Sequence, residues 1–186
     1  AASPPSPAAQ AQAHGRRRLT MPPAGFMPAY VGLGSNLDDP AAQLDAALEA
    51  LAALPDTRRV AVSGRYRNPP MGPQDQPDYL NAVAGLLTRL PAEVLLTALH
   101  GIEDAQGRDR DGPRWGPRTL DLDLLAYGNL RVESAALTLP HPGICSRPFV
   151  LVPLAEVAPG LHLPDGRSVA ALAAAVDATA LRREAT

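Results

Sequence analysis

The segment from residue 107 to 128 constrains this chain most, because a basic loop leads there directly into an acidic strand. The arginines of the loop are Arg108, Arg110, Arg114 and Arg118, and glycine and proline interrupt it repeatedly. The strand LDLDLLAY alternates leucine with Asp121 and Asp123, and side chains two residues apart on a strand point to the same face. We therefore expect the leucines to face the core and the two aspartates to face a site.

The two aspartates need a cation nearby, because aspartate is depleted in strands and like charges on one strand face repel each other. Oxygen ligands on a rigid strand suit Mg²⁺, which is held by one or two carboxylates together with waters and substrate phosphates. The planar charged fork of arginine matches phosphate oxygens, so several arginines on one loop indicate a ligand with more than one phosphate. The alternatives are a solvated polar sheet face and a surface loop kept soluble by its charges.

The composition excludes several classes of function. All 17 basic residues are arginine, so the chain has no Walker A loop, which requires a lysine. The formal net charge of −2 provides no overall basic field for nucleic acid. Cys145 is the only cysteine, which precludes an internal disulfide, and no apolar run approaches the length of a membrane span. We therefore expect a cytoplasmic protein that binds neither nucleic acid nor membranes.

The length of 186 residues suits one domain and is too short for two. Residues 1–28 are rich in alanine, proline and serine and cannot bury enough apolar surface to become ordered. We expect these residues to be a disordered tail and residues 29–186 to form a single domain.

The periodicity of the domain indicates strands and helices in the order β-α-β-β-α-β. Asp39 and Pro40 are typical of a helix start, and Pro91 marks the start of a second helix. The expected strands cover residues 29–37, 58–66, 79–88 and 120–127, a hairpin brings residues 130–132 back onto the aspartate strand, and a last helix runs from Ser168 to about Leu181. This order predicts an α+β fold of ferredoxin-like type, an αβα sandwich with a mainly antiparallel sheet.

Four segments closely resemble the 6-hydroxymethyl-7,8-dihydropterin pyrophosphokinases of folate biosynthesis. The segments are GLGSNL (32–37), NPPMGPQDQPDYLNAV (68–83), RWGPRTLDLDLLAYG (114–128) and LPHPGICSRPFVLVPL (139–154). The resemblance extends from about Tyr30 to the end of the last predicted helix. It implies transfer of pyrophosphate from the co-substrate ATP to the hydroxymethyl group of the pterin, with release of AMP and a requirement for two Mg²⁺ ions.

The resemblance also implies a pterin pocket. Its residues are Asn68, Pro69, Met71, Tyr79, Asn81 and Phe149. The residue types agree with this role, because Tyr79 and Phe149 offer aromatic faces for a flat heterocycle and Asn81 has both a donor and an acceptor. The ordinary alternatives are that Phe149 is part of the core and that Asn81 is an amide at a strand edge.

On the nucleotide side, the resemblance assigns metal binding to Asp121 and Asp123. We expect these two residues to be catalytic together with Arg108 and Arg118, which lie at the two ends of the loop. The implied ATP-binding residues are Glu103, Arg110, Arg114, Trp115, Leu124, Thr138, His141 and Arg147. Phosphoryl transfer depends mainly on alignment and charge neutralisation, so no dedicated general base is expected.

Three residues depart from the family pattern. His100 replaces a frequent glutamine, Asp111 lies where a lysine can occur, and Ala136 lies where an arginine can approach the nucleotide. We expect the reaction to be retained; the rate and the ATP affinity are the properties on which these three departures bear most. Two other classes of function remain open: an RNA-binding module, which would present basic and aromatic residues on its sheet, and a metal-dependent phosphohydrolase. We expect a monomer that acts on two small molecules.

Overall fold

The computed structural model describes residues 25–108 and 116–185, which form the strands and helices of an α+β fold. The strands are β1 (Met27–Ser35), β2 (Thr57–Val62), β3 (Tyr66–Asn68), β4 (Tyr79–Thr88), β5 (Asp121–Tyr127), β6 (Val132–Glu133), β7 (Thr138–Leu139) and β8 (Arg182–Arg183). The helices are α1 (Pro40–Ala52), α2 (Ala92–Ala105), α3 (Pro148–Val157) and α4 (Val169–Ala175).

The main sheet has the order β5-β1-β4-β3-β8, and β2 also pairs with β4. All of these pairings are antiparallel. β2 lies beside the end of β4 at Thr88 and β3 beside its beginning at Tyr79, so the two short strands together occupy the position of one interrupted strand. The ferredoxin-like α+β class predicted from the sequence is confirmed.

Helices cover both faces of the sheet and produce two apolar cores. The first core packs α1 and α2 against the sheet and contains Leu44, Leu51, Leu95 and Leu99, all fully buried. In the second core, α3 packs against the opposite face of the sheet and α4 packs against α3. Helix α1 begins as predicted, with the side chain of Asp39 accepting a hydrogen bond from the backbone N–H of Ala42 and with Pro40 in the first turn. The predicted αβα sandwich therefore has three layers.

Strand β5 alternates as its sequence predicts. Leu122 and Leu124 belong to the core beneath α1 and α2, whereas Asp121 and Asp123 point to the other face and are half-buried. The register with β1 shifts between Tyr30 and Val31, and the bulge turns Leu125 towards α3. The bulge therefore ends the acidic part of the strand and begins an apolar part on the same face.

Two element predictions are wrong. Residues 130–132 do not pair with β5, because β6 pairs with β7 in a separate two-stranded sheet and the backbone N–H of His141 donates to Leu125 O instead. The last helix ends at Ala175 rather than near Leu181. The side chain of Asp177 accepts hydrogen bonds from Thr179 N and Oγ1, which favours a local turn over another helical turn. The chain then adds β8 to the edge of the sheet beside β3.

The beginning of the fold also differs from its prediction. β1 starts at Met27, so residues 27 and 28 belong to the sheet rather than to the expected tail. The remainder of the predicted tail, residues 1–24, lies outside the described residues. Within the part of the chain that the structure describes, no helix combines the length and the apolar character needed to cross a membrane.

Candidate active site

A cavity of about 260 Å³ opens at one end of the sheet, on the face that α3 covers. Antiparallel pairing brings four strand ends together there, because β1 ends where β4 and β5 begin and where β3 ends. The predicted site residues that line the cavity are Asn68, Met71, Tyr79, Asn81, Arg108, Arg118, Asp121, Asp123, His141, Arg147 and Phe149. Residues of the predicted pterin pocket and residues of the predicted ATP and metal site therefore line the same cavity.

Two glycines of β1 provide the space beside the aspartates. Gly32 is the register partner of Asp123 and Gly34 that of Asp121, and residues directly opposite on paired strands point to the same face. A Cβ atom on Gly34 would lie 3.0 Å from Oδ1 of Asn81, and one on Gly32 would lie 3.4 Å from the side chain of Leu125. The glycine pattern GLG therefore keeps the floor of the cavity open.

Arg108 and Arg118 converge on Asp121. Nη1 of Arg108 lies 2.6 Å and Nη1 of Arg118 lies 2.9 Å from Oδ1 of Asp121. All three side chains are largely buried, with 15%, 28% and 29% of their surfaces exposed. Charge-assisted hydrogen bonds of this kind are about twice as strong as neutral ones. The two arginines at the ends of the basic loop are therefore held together at the edge of the acidic strand.

Glu103 of α2 holds Arg108 in place beside β5. Its carboxylate is 1% exposed and pairs with Nη1 of Arg108, and its Oε1 also accepts a hydrogen bond of 2.8 Å from the backbone N–H of Leu122. A buried carboxylate is stable only when charged and polar partners compensate for its lost hydration. In this structure Glu103 joins α2 to β5 and orients Arg108; its predicted contact with ATP remains a prediction.

The surroundings of Asp123 disfavour the charged form of its carboxylate. Burial and the neighbouring charge of Asp121 raise the pKa of Asp123 above its usual range, and the side chains of His141, Arg147 and Arg108 lower it by less. Nε2 of His141 lies 3.8 Å from Oδ1 of Asp123. The arginines that approach Asp121 do not offset the cost at Asp123, so a further cation beside this carboxylate would be favourable.

His141 and Arg147 are organised by a tight turn at residues 141–144. The backbone N–H of Gly143 donates to Nδ1 of His141 at 3.0 Å, which leaves Nε2 as the ring nitrogen directed at Asp123. The side chain of Arg147 lies directly on Gly143, where any Cβ atom would overlap it. The absence of a side chain at Gly143 therefore gives Arg147 its position beside the cavity.

The opposite wall contains the predicted pterin residues. Nδ2 of Asn81 donates to Oδ1 of Asn68 at 2.6 Å, and Nδ2 of Asn68 donates to the carbonyl of Pro69 at 2.8 Å, which fixes both amides. The hydroxyl of Tyr79 donates to Gly116 O at 2.8 Å, and burial raises its pKa, so it remains protonated and ties its ring to the end of the basic loop. Phe149, on the first turn of α3, completes this wall.

Asn36 was not selected from the sequence, yet it connects both walls. This residue is 2% exposed; its N–H donates to Arg118 O at 3.1 Å and its Oδ1 accepts from Arg118 N at 2.8 Å. Its Nδ2 donates to Gln76 Oε1 and to Pro77 O, both at 3.1 Å. The only sequence signal was the position of an asparagine within the GLGSNL segment, since its partners lie about 40 and 82 residues away.

The remaining predicted residues have other positions. The side chain of Leu124 is 3% exposed within the core beneath α1 and α2, so only its backbone is available to a ligand on the other face. Thr138 borders a second cavity of about 530 Å³ that shares His141 with the first. Pro69 is exposed and does not line the cavity. Of the departures, His100 and Ala136 are exposed, whereas Asp111 and the predicted ATP residues Arg110, Arg114 and Trp115 lie outside the described residues.

The donor set at Asp121 and Asp123 fits Mg²⁺. Across residues 25–108 and 116–185, no three or more His, Cys, Asp and Glu side chains form a group that could hold a metal ion by themselves. The protein therefore offers two carboxylates on one strand face, and Mg²⁺ commonly binds one or two carboxylates and completes its shell with water and phosphate oxygens. Burial and the charge of Asp121 raise the pKa of Asp123, and a cation bound to the pair would offset both effects.

Comparisons with known proteins relate this geometry to a family. A family model described as 7,8-dihydro-6-hydroxymethylpterin-pyrophosphokinase matches residues 30–159. A Pseudomonas aeruginosa protein named 2-amino-4-hydroxy-6-hydroxymethyldihydropteridine pyrophosphokinase is 53% identical over 146 residues, which cover 78% of this chain and 90% of that protein. A Haemophilus influenzae protein of the same name is 50% identical over 144 residues, covering 77% and 89%.

Solved structures show the same fold at low sequence identity. The crystal structure of wild-type Plasmodium falciparum HPPK-DHPS with pteroate matches with a TM-score of 0.62 at 12% identity, covering 80% of this chain and 42% of that chain. Because the family model spans most of the fold and two relatives are at least half identical over most of their own length, this chain belongs to the 7,8-dihydro-6-hydroxymethylpterin-pyrophosphokinase family.

Proposed function

We propose that the cavity at the end of the sheet holds the pterin against the Tyr79 and Phe149 wall and the ATP phosphates against the Asp121 and Asp123 strand. Membership of the family makes the chain a pyrophosphokinase of folate biosynthesis, which transfers pyrophosphate from ATP to hydroxymethyldihydropterin. The observation that carries the proposal is that both aspartates, three arginines and both aromatic residues border one cavity.

The pterin half of the proposal depends on orientation. A flat heterocycle would stack against Tyr79 and Phe149, because offset or edge-on aromatic contacts contribute beyond the buried area. Since Nδ2 of Asn81 is already committed to Asn68, the carbonyl oxygen of Asn81 is the group that we expect to accept a hydrogen bond from the pterin. The proline-rich loop that carries Met71 would border the ring, with the backbone of Pro69 close by.

In the second part of the proposal, the ATP phosphates are bound through charge. We propose that Asp121 and Asp123 hold two Mg²⁺ ions together with phosphate oxygens, and that Arg108, Arg118, His141 and Arg147 approach the phosphates from the rim. The ions would neutralise charge that develops on the phosphate oxygens during transfer. Arg110, Arg114, Trp115, Thr138 and the backbone of Leu124 are proposed further contacts of ATP, as the family resemblance implies.

The chemical step would be an in-line attack of the pterin hydroxymethyl oxygen on the β-phosphorus of ATP. The new O–Pβ bond forms as the bond from Pβ to the α-phosphate bridging oxygen breaks, and the electron pair leaves with AMP. The hydroxyl proton is released to solvent or to a phosphate oxygen. The guanidinium of Arg118 would stabilise the negative charge that develops on the phosphate oxygens. It is already positioned for this, because Asn36 fixes the backbone of Arg118 and the guanidinium lies in the cavity.

We further propose that the chain acts as a monomer in the cytoplasm. The complete set of proposed substrate contacts comes from one chain, which makes a second copy unnecessary for the site. The single cysteine is compatible with a reducing compartment. Sedimentation of the full chain with and without ATP analogue tests the monomer, since a dimer at micromolar concentration would contradict it.

Formation of AMP tests the proposal. The chain is incubated with ATP and Mg²⁺, with and without 6-hydroxymethyl-7,8-dihydropterin, and AMP is quantified by chromatography. We expect AMP only when the pterin is present, in equal amount to pterin diphosphate, and no AMP after chelation of Mg²⁺. Release of AMP or ADP without pterin would instead support a phosphohydrolase. An independent measurement is thermal stabilisation by Mg²⁺ with α,β-methylene-ATP, which Asp121→Asn and Asp123→Asn should each diminish.

A further inference from the structure

We propose that Glu156, two helical turns from the cavity on α3, is a positioning residue that sets the width of the pterin pocket. This inference rests on the proposed pterin wall at Phe149 and Asn68. Glu156 does not line the cavity, and its side chain contacts Gly64, Tyr66 and Arg183. It acts by fixing the helix that carries Phe149 to the strand that carries Asn68.

Strand β3 is one of the two elements that Glu156 joins. In its register with β4, Tyr66 is opposite Asn81 and Asn68 is opposite Tyr79. Residues opposite each other on paired strands share a face, so all four side chains belong to the face that α3 covers. Tyr66 therefore lies beside the amide pair of Asn81 and Asn68, one position further from the cavity, and it is 7% exposed.

The contacts of Glu156 hold the beginning of this short strand and the residue two positions before it. Its Oε1 accepts a hydrogen bond of 2.8 Å from the hydroxyl of Tyr66, and its Oε2 accepts one of 2.8 Å from the backbone N–H of Gly64. Burial and this hydrogen bond raise the pKa of Tyr66, so the phenol remains a donor. Arg183 of β8 adds an ion pair of 3.1 Å to Oε1. One carboxylate thus joins α3, β3 and β8.

Helix α3 transmits this attachment to the pocket. Phe149 and Glu156 are seven residues apart, which is close to two full turns, so they lie on the same side of the helix. Near Glu156, the side chain of Val157 lies so close to Gly85 of β4 that a Cβ there would come within 2.9 Å. The end of the helix is therefore pinned to the sheet, and the position of its first turn follows from that attachment.

The chain offers a matched control on the same strand. Nε of Arg67 pairs with Oε1 of Glu184 at 2.6 Å, which also ties β3 to the segment after β8 but does not involve α3. A general loss of stability at this sheet edge would affect Glu184→Ala and Glu156→Ala alike. An effect through α3 would appear only in the second variant.

The test measures dissociation constants by calorimetry for α,β-methylene-ATP with Mg²⁺ and, in its presence, for 6-hydroxymethylpterin. We expect Glu156→Ala to weaken pterin binding about tenfold, equivalent to about 1.4 kcal/mol, and to change the nucleotide dissociation constant less than about twofold. Tyr66→Phe, which removes one oxygen atom and preserves the ring, should weaken pterin binding in the same direction. Glu156→Gln should restore most of the affinity, because its amide can donate to the Tyr66 oxygen while its carbonyl accepts from Gly64.

The outcomes separate the inference from the proposed function. Failure of the wild-type chain to bind the pterin would refute the proposed function itself. Pterin binding that is unchanged in Glu156→Ala and Tyr66→Phe, or reduced equally in Glu184→Ala, would refute the role of Glu156 while leaving the function intact. If Glu156→Ala does not fold, Tyr66→Phe decides alone, since it retains the buried ring and removes only the hydrogen bond to α3.

Discussion

Asn36 and Arg118 bind each other through two hydrogen bonds, in which Arg118 N donates to Oδ1 of Asn36 and Asn36 N donates to Arg118 O. The amide nitrogen of the same Asn36 side chain donates to Gln76 and Pro77 of the proline-rich loop. One buried side chain therefore fixes the backbone of a proposed phosphate ligand and the loop of the proposed pterin wall. The guanidinium of Arg118 extends from this fixed point to Asp121.

Removal of this junction should reduce turnover. We expect Asn36→Ala to lower kcat by about tenfold or more, because small displacements of aligned groups cost up to about a hundredfold in rate. Asn36→Asp retains the acceptor for Arg118 N but loses the donor to the loop, so it should raise the KM for pterin more than it lowers kcat. Steady-state kinetics in both substrates distinguish these effects.

The proline-rich loop supplies the control for Asn36. Gln76→Ala removes a loop partner of Asn36, whereas Gln74→Ala removes only bonds to Pro70 O and Gly72 O within the loop. We expect Gln76→Ala to raise the KM for pterin and Gln74→Ala to do so less. Equal effects of the two substitutions would contradict a special role for the junction.

The guanidinium of Arg118 should act mainly in the chemical step. Its backbone is fixed by Asn36, so Arg118→Ala removes the charge without displacing the loop, and we expect single-turnover AMP formation to fall by about a hundredfold or more. Arg118→Lys should recover only part of this loss, because a point charge cannot form a bidentate contact. Rapid-quench measurement of AMP is compared with equilibrium ATP binding; a variant with weak binding and a normal chemical rate would make Arg118 a docking residue.

The charged carboxylate of Asp123 should lower the stability of the folded chain at neutral pH. Because its pKa is raised in the folded chain, the folded state binds a proton more tightly than the unfolded state, and stability falls as pH rises from the ordinary aspartate pKa through the raised value. Asp123→Asn removes the charge that causes this loss of stability, so the variant should have a higher Tm than wild type at pH 7. At pH 3, where Asp123 of the wild type is protonated, the difference in Tm should be smaller. The variant should also lose activity and stabilisation by Mg²⁺.

Calorimetric melting curves between pH 3 and pH 8 test the behaviour of Asp123. The control is Asp165→Asn, because Asp165 pairs with Arg167 on an exposed turn and that pairing lowers its pKa. Asp165→Asn should therefore change stability in the opposite sense or not at all, since an exposed ion pair contributes little. A lower Tm for Asp123→Asn at pH 7 would show that the carboxylate stabilises the fold.

Phe149 should discriminate between the two substrates. We expect Phe149→Ala to weaken pterin binding by about tenfold or more, because stacking contributes about 0.5–1.5 kcal/mol beyond the buried area. ATP binding should change little. The only other phenylalanine is Phe26, just before β1, and the guanidinium groups of Arg58 and Arg89 lie over its ring. Phe26→Ala is therefore a control that should reduce stability without selective loss of pterin; equal loss of both ligands in Phe149→Ala would identify Phe149 as ordinary core.

The direction of the side chains on β5 and the starts of the helices could be predicted because they depend on neighbouring residues in the sequence. The alternation of leucine and aspartate in β5 has a period of two residues, and that period alone separates Asp121 and Asp123 from the core. The cap at Asp39 and the start of α2 after Pro91 follow equally local rules. For the same reason, the side chain of Leu124 could be assigned to the core face, whatever its backbone contacts.

The connections between distant segments could not be predicted in this way. Glu103 and Leu122, Asn36 and Arg118, and Tyr66 and Glu156 each meet only after the sheet has formed. The prediction of a hairpin after Gly128 was wrong for a related reason. The backbone of His141, a residue distant from β5 in the sequence, hydrogen-bonds to Leu125 of that strand instead. In the sequence, Glu103, Asn36 and Glu156 each look like ordinary exposed polar residues, so only the tertiary contact reveals a positioning role.

Gly143 should control ATP affinity through Arg147. The backbone of Gly143 has no positive φ that would exclude alanine, but the side chain of Arg147 occupies the space where a Cβ would be. Gly143→Ala must therefore displace the guanidinium from its place beside the cavity and weaken its contact with phosphate. Because hydrogen bonds to charged groups contribute about 1.5–3 kcal/mol, we expect the dissociation constant of Mg²⁺ and α,β-methylene-ATP to rise about tenfold to a hundredfold.

Gly101 provides the matched substitution for Gly143. It is exposed on α2, and a Cβ there would meet no atom within 4 Å. Gly101→Ala should stabilise the helix by up to about 1 kcal/mol and leave nucleotide binding unchanged. In Gly143→Ala, by contrast, binding of 6-hydroxymethylpterin without nucleotide should persist, because Phe149 and Asn81 are not displaced. Loss of pterin binding together with nucleotide binding would mean that the turn at residues 141–144 supports the whole cavity rather than Arg147 alone.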